Sequence, residues 1–475
     1  MTLALSSAIF GVAFVDPAVA RLLDDEAYFR ALLLVESALA RVQSRLGIIP
    51  VEAGAAITRA ASLLEFDAAA LAAGVQRDGI PIPALIAQLR AAAGAEFGQF
   101  VHWGATSQDV MDSASVLGIL RVLEHMEHGL GQLLRRLAEL AWAHRGSVMV
   151  ARTHGQHALP TTFGLEVALW AYPLLRHHER LRQLLPRLGV VQLGGAAGTL
   201  AALGPRAPEV VSGLSSELGL GAPGLPWHAQ RDNFAELGGW LSLLAGSLGK
   251  LAQDVILLCQ SEVGELAEAP PGQRGGSSSM PQKNNPMRSE QILAAARMTA
   301  AQLSALHHAL VQEHQRGTHG WQVEWLCLSP LLMLSAGALH NTGLLTAELE
   351  IDTQRMRAQL LAPPGLAFSE AAVGALSTEM PRPAAQALTT HCALRARAEG
   401  RCLVDVLREQ RASDAPQSRI DWAALALPEN HLGQAHAWVD QARRELLAVA
   451  DAIAARLSGH RAPRDKQPPE TDPAP

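Results

Sequence analysis

Where proline is missing constrains this chain more than any other feature. None occurs from Ala84 to Leu159, and none from Trp227 to Ala269. Proline inside a helix removes a backbone donor and clashes with the preceding turn, so gaps this long permit very long helices. The second gap carries a pattern. Leu237, Leu241, Leu244, Leu248, Leu251, Val255 and Leu258 alternate spacings of four and three, the heptad seam of helices packed side by side. The seam spans three heptads, which fits a bundle better than a free coiled coil. A similar stripe of Val116, Leu120, Leu123, Leu130, Leu134, Leu137 and Ala141 runs between Asp112 and Ala143, with Arg121, Glu124, Arg135 and Glu139 mostly off it. A third long helix is expected from Met287 to Gln312, with Pro286 at its start, where proline is tolerated.

The rest of the composition agrees. Apolar residues make up 49% of the chain but aromatics only 4%, a mix that favours helices over sheet sandwiches. At 475 residues the chain exceeds one compact core. The expected fold is all-α with three helical domains. These are an N-terminal helical domain over residues 1–110, a central long-helix bundle over 111–355, and a C-terminal helical domain over 356–458 that begins after the Pro363-Pro364-Gly365 break. Residues 459–475, rich in proline and charge, are expected to be disordered. There is no internal sequence repeat.

A net charge of -6 gives no basic footprint for nucleic acid. Cys259, Cys327, Cys392 and Cys402 form neither a C-x-x-C pair nor a disulfide framework or zinc site, which fits a reducing, cytoplasmic setting. The run Leu3 to Val15 is fairly apolar, and Ala18-Val19-Ala20 imitates a cleavage site. No Lys or Arg precedes Arg21, however, so the basic start of a signal peptide is missing. No uninterrupted apolar run reaches the ~18 residues of a membrane span, so no membrane association is expected.

The segment Pro270 to Glu290 breaks two strongly helical stretches with Gly, Ser and Pro, so a loop of roughly 15 residues is expected there. A flexible linker is one reading. Lys283 and Asn285, just before a helix start, favour another: a binding loop whose side chains, with the helix's first amides, hold a carboxylate.

Three motifs carry a resemblance. Gly276-Ser277-Ser278-x-Met280-Pro281-x-Lys283-x-Asn285-Pro286 resembles the signature loop of the fumarase/aspartase superfamily. Gly104-Ala105-Thr106-Ser107-Gln108-Asp109-Val110-Met111-Asp112 and Thr153-His154-Gly155-Gln156-His157 resemble that family's two earlier signature regions. The resemblance covers roughly residues 10 to 455, in the family's order and spacing. It implies chemistry at the carbon beside a carboxylate, through a doubly charged aci-carboxylate held by fixed donors and positive charge. Ser277 would be the base in elimination and the proton donor in the reverse, its alkoxide stabilised by loop amides and Lys283. His154 would be the second catalytic group, oriented by Glu290. Thr106, Ser107, Thr153, Gln156, Lys283, Asn285 and, from the Gln312–Arg316 cluster, Arg316 would bind substrate. The resemblance implies a small di- or tricarboxylate substrate, no metal and no cofactor, and a homotetramer in which three subunits build each site. Long apolar stripes need such partner helices.

Within the family, the segments around His102–Asp109, Gly194–Leu200, Pro226–Asp232, Gly246–Lys250 and Gln312–His314 look most like cycloisomerases, which add a carboxylate oxygen to a double bond and close a lactone. The stretch Gln76 to Leu89 agrees, and it lacks the His-Asp pair of adenylosuccinate lyases, which argues against a purine nucleotide substrate. His154 stands where cycloisomerases usually carry tryptophan, and they lack an acid at Glu290. Both positions match the C–N and C–O lyases that release fumarate, so a lyase acting on a succinyl-type substrate is the alternative. A third reading, an inactive structural relative, requires loss of Ser277, Lys283 or His154, and all three are present.

Overall fold

A computed structural model describes residues 4–270 and 274–460. The disorder expected of the tail therefore lies, from residue 461 onward, outside the described residues. The described chain is helical apart from two antiparallel strand pairs. Five helices dominate: Ser107–Ala143, Phe163–Leu188, Asp232–Leu258, Met287–His308 and Gly320–Glu348. The seam residues from Leu237 to Leu258 are all buried, none more than 6% exposed. Complete burial of one such side chain contributes about 1.5–3 kcal/mol. The stripe from Val116 to Ala141 is likewise turned inward, Leu120 being half-buried.

The third long helix stops at His308, four residues before the expected end. The Gln312 side chain donates to the Ala309 carbonyl oxygen at 2.7 Å, so it closes the helix end instead of continuing it. The chain then folds back over Gln312: a Cβ at Gly317 would lie 1.8 Å from its Oε1. Helical periodicity before the break gives no warning of that return.

The periodicity also gave no hint of a hairpin. Strand Val148–Thr153 pairs antiparallel with Gln156–Thr162, with an irregularity between Val150 and Arg152. The two residues between the strands, His154 and Gly155, both have positive φ, +52° and +73°. That is the tight turn whose twist matches paired strands. Glycine enters it freely, and histidine is among the few other residues that tolerate it.

The chain divides into two compact units, each assembled from three stretches. The first comprises Met1–Gly129, His177–Gly249 and Gln291–Asn341. One of its cores packs Phe29, Leu32, Ile57, Leu85 and Leu89 from the N-terminal helices. Elsewhere in this unit Arg231 is 2% exposed and bonded to both Asp112 (2.7 and 3.0 Å) and Glu324 (2.9 and 2.5 Å). Its guanidinium carbon also lies 4.8 Å from the ring centroids of Trp227 and Phe234. A buried cation needs this degree of satisfaction, because an unpaired one is strongly destabilising. The second unit comprises Leu130–Arg176, Lys250–Glu290 and Thr342–Pro475. A core of Phe368, Leu376, Leu403 and Leu407 holds its C-terminal helices. Arg152, on the first hairpin strand, makes a two-pronged bond to the buried Glu265 at 2.9 and 2.7 Å.

Two helices, Asp232–Leu258 and Gly320–Glu348, reach the length and mean apolar content of a membrane span, although neither is an uninterrupted apolar run. Half or slightly more of their most apolar stretches is buried against the chain itself, and the first carries the heptad seam. Both features belong to core helices as well.

Candidate active site

In the first unit, the candidate residues gather at the start of the Ser107–Ala143 helix. The Thr106 amide donates to Asp109 Oδ2 at 2.9 Å, so a carboxylate three residues on reaches back to cap the helix. Asp109 is 1% exposed and does more than cap. It accepts from the Gly194 and Gly195 amides at 2.8 and 2.9 Å and pairs with His228 Nε2 at 2.7 Å. The glycine-rich segment at 194–198 is thereby fastened beside the Thr106 turn. Arg316 Nη1 donates to the Thr106 hydroxyl at 2.8 Å, and its Nε to Gln108 at 3.3 Å. Thr106 and Arg316, 210 residues apart in sequence, thus meet directly. Ser107 lies at the first helical turn, half-buried.

Just upstream, His102 has φ +66° and its Nδ1 lies 2.6 Å from Glu36 Oε1. Burial by itself would lower the imidazole pKa. The Glu36 charge and hydrogen bond outweigh it, and the pKa is raised above the ordinary value.

In the second unit, Thr153, His154, Gly155 and Gln156 form the hairpin turn, Thr153 and Gln156 being its closing pair. All four are exposed, the His154 ring among them. Nearby in sequence, burial lowers the pKa of His157, and the Arg152 charge lowers it further.

The glycine-serine segment is a closed lobe. The Asn285 amide and side chain both donate to the Gly275 carbonyl, at 3.0 and 2.8 Å, and Gly276 bridges Asn284 in antiparallel fashion. Ser277 and Lys283 are the first residues inside that bridge, one on each arm. Gly275 has φ +68°, and a Cβ there would meet the Asn285 carbonyl oxygen at 2.2 Å, so only glycine closes this stem. Ser277 is half-buried, while Lys283 is exposed at the lobe's far arm.

Two of the first amides of the Met287–His308 helix, expected as donors to a carboxylate, already have an acceptor within the chain. Glu268, 2% exposed, already accepts from the Arg288 and Ser289 amides at 2.9 and 2.6 Å. A buried carboxylate there satisfies the helix end and its dipole and leaves no vacancy for a second anion. Asn285, expected as a ligand, spends one side-chain donor on the stem. Glu290, in the helix's first turn, is exposed. Among the described residues, no hydrogen bond or ion pair within the chain joins His154, Ser277 and Glu290 to one another. Nor is any group of three or more His, Cys, Asp or Glu placed to hold a metal ion.

Asp109 and Glu268 were missed as organisers. The Thr106-x-x-Asp109 spacing is a readable cap signal, but nothing local links Glu268 to Arg288 and Ser289. A separate cavity of about 450 Å³ in the first unit, lined by Tyr28, Asp112, Trp321, Glu324 and Trp325 among others, contains none of the candidate residues.

Residues 27–302 match the family described as lyase. Among curated proteins, the chain is 42% identical to the 3-carboxy-cis,cis-muconate cycloisomerase of Pseudomonas aeruginosa, over 92% of this chain and 96% of that one. Its fold is similar to the crystal structure of the 3-carboxy-cis,cis-muconate lactonizing enzyme of Pseudomonas putida, with a TM-score of 0.88, 37% identity, and 93% and 100% of the two chains covered. It is also similar to a fumarate lyase of Mesorhizobium sp. BNC1, with a TM-score of 0.85, 36% identity, and 91% and 98% covered.

Proposed function

Because this chain belongs to the lyase family of the fumarase/aspartase superfamily, we propose that it is an enzyme that lactonises 3-carboxy-cis,cis-muconate or a close relative. One substrate carboxylate oxygen adds to a carbon of a conjugated double bond. The electrons of that bond move into the neighbouring carboxylate, which becomes the aci-carboxylate. Ser277 then delivers its proton to the α carbon, and the carboxylate is restored. Lys283 and the lobe amides hold the charge that builds on substrate and then on the serine oxygen. Arg316 and Thr106, already bonded to each other, offer a guanidinium and a hydroxyl to a second carboxylate. Ser107, Thr153, Gln156 and Asn285 complete the ligand set. Such an enzyme works in the cytoplasm, in the breakdown of aromatic compounds through the β-ketoadipate pathway.

The observation that carries this reading is the closed lobe. The Gly275–Asn285 stem and the Gly276–Asn284 bridge close a short lobe with Ser277 on one arm and Lys283 on the other, which supports a proton donor and a cation acting from one loop.

A second reading, favoured by the exposed His154 at the hairpin tip and by Glu290, is a fumarate-releasing C–N or C–O lyase. There Ser277 removes the α proton and His154, oriented by Glu290, protonates the departing group. The lack, among the described residues, of any hydrogen bond or ion pair joining His154, Ser277 and Glu290 agrees with sites shared between subunits of a homotetramer. So do exposed apolar side chains along the long helices: Leu169, Leu243, Leu257, Met298 and Leu326.

The purified protein is offered 3-carboxy-cis,cis-muconate and, separately, several N-substituted aspartates, with absorbance followed. Lactone formation is the expected result. Fumarate release from an aspartate without lactone formation replaces the first reading by the second, and silence on both substrate types removes both.

A further inference from the structure

The lobe that bears Ser277 and Lys283 is held at its base by two carboxylates. Glu348, the last residue of the Gly320–Glu348 helix, accepts from Arg274 Nη1 at 2.5 Å and pairs with Arg288 Nη2 at 3.6 Å. These arginines bracket the lobe, one immediately before its Gly275–Asn285 closure and one shortly after. Two guanidiniums therefore share one carboxylate. The Arg288 side chain is 12% exposed, and its Nη1 is buried without a hydrogen-bond partner. Burial lowers its pKa, the Arg274 charge lowers it further, and Glu348 and Glu268 oppose them. Glu348 is thus the charge that lets two like-charged stems lie together.

Glu268 works on the same stem from the other side of the sequence. It ties the segment before the loop to the first turn of the helix after it, through the Arg288 and Ser289 amides. Asn284 adds a bond to the Ala269 carbonyl at 2.9 Å. Every one of these contacts lies outside the lobe tip, and all of them fix where its two arms begin.

We propose that Glu348 and Glu268 are positioning residues for the reaction: they touch no substrate, but lock the stem that aims Ser277 and Lys283. This rests on Ser277 being the proton-exchanging group. A displacement of about 1 Å at a reacting atom costs on the order of a hundredfold in rate, and without the shared carboxylate Arg274 and Arg288 repel each other at the base of the lobe.

The test is Glu348→Gln. The Glu348 side chain is 38% exposed, and the amide keeps its size and an acceptor oxygen while losing the charge, so the fold survives. The amides of Lys283 and Asn285, bonded to Met280 and Gly275, should exchange hydrogen about tenfold faster or more, with the rest of the chain unchanged. Turnover should fall about 10- to 100-fold with KM within about threefold. The double variant R274Q/E348Q removes the repulsion and should recover most of the loss. Glu268→Gln should act in the same direction as Glu348→Gln. Wild-type exchange at Lys283 and Asn285 in Glu348→Gln overturns the lock. Faster exchange with undiminished kcat overturns the positioning role. The exchange measurement needs no substrate, so an enzyme silent on every carboxylate offered would indict the proposed reaction and leave the lock to be judged separately.

Discussion

Ser277 carries the proton in the proposed reaction, and its effect on rate is separable from its effect on binding. Ser277→Ala leaves the lobe stem intact, since none of the stem bonds uses the hydroxyl. Turnover is expected to fall about 10²- to 10⁴-fold while substrate still binds, as measured by calorimetry beside steady-state kinetics. Near-normal turnover would exclude the role. A second residue-scale prediction concerns His102 and Glu36. The His102 pKa in the folded chain is raised above its ordinary 6.5, so the pair contributes stability that is complete below that value. This contribution is lost as pH rises through the raised pKa, because the unfolded chain gives up the proton first. Urea midpoints measured from about pH 6 to pH 9 should therefore fall more steeply for the wild type than for His102→Gln. Equal slopes would mean that the pair is not the source.

At the scale of elements, the seam of the Asp232–Leu258 helix is buried along its whole length. Leu248 is fully buried, and Gly249 beside it lets the helix approach Ala296 so closely that a Cβ would lie 2.8 Å from that residue's own Cβ. Packing this tight leaves little room for collapse around a deletion. Leu248→Ala is expected to destabilise the fold by about 2–5 kcal/mol, read from a shifted denaturant midpoint. A loss below about 0.5 kcal/mol would mean the site relaxes freely. The hairpin depends on its turn in a different way. Two successive positive-φ residues, His154 and Gly155, put the imidazole at the tip, held by strand pairing and, among the described residues, by no side-chain hydrogen bond or ion pair.

For the whole molecule, the expectation is an obligate oligomer. The candidate residues lie in both compact units, and among the described residues no hydrogen bond or ion pair joins the hairpin turn to the serine lobe. A site completed by neighbouring subunits accounts for that, and for the apolar side chains left bare along the long helices. Dilution below the dissociation range should abolish activity in step with the loss of tetramer, followed by sedimentation with parallel assay. A monomer with full activity defeats the shared-site arrangement.

What the amino-acid order determined on its own was largely local. Spacings of three and four, uninterrupted by proline, specify long helices with buried seams because side-chain periodicity and backbone geometry are properties of neighbouring residues. The Gly-Ser segment announced a loop for the same reason, and the three motifs announced the family. Tertiary structure decided how those pieces meet. Arg316 reaches Thr106 across 210 residues, and Glu348 reaches Arg274 across 74. Glu268 fills the helix end that the sequence had left open for substrate. Such contacts depend on the path of the chain through space, and no local pattern encodes which buried carboxylate will arrive at which unpaired amide. The helix that ended at His308 makes the same point: its periodicity continued in the sequence, but the Gln312 side chain, turning back to the Ala309 carbonyl, closed it.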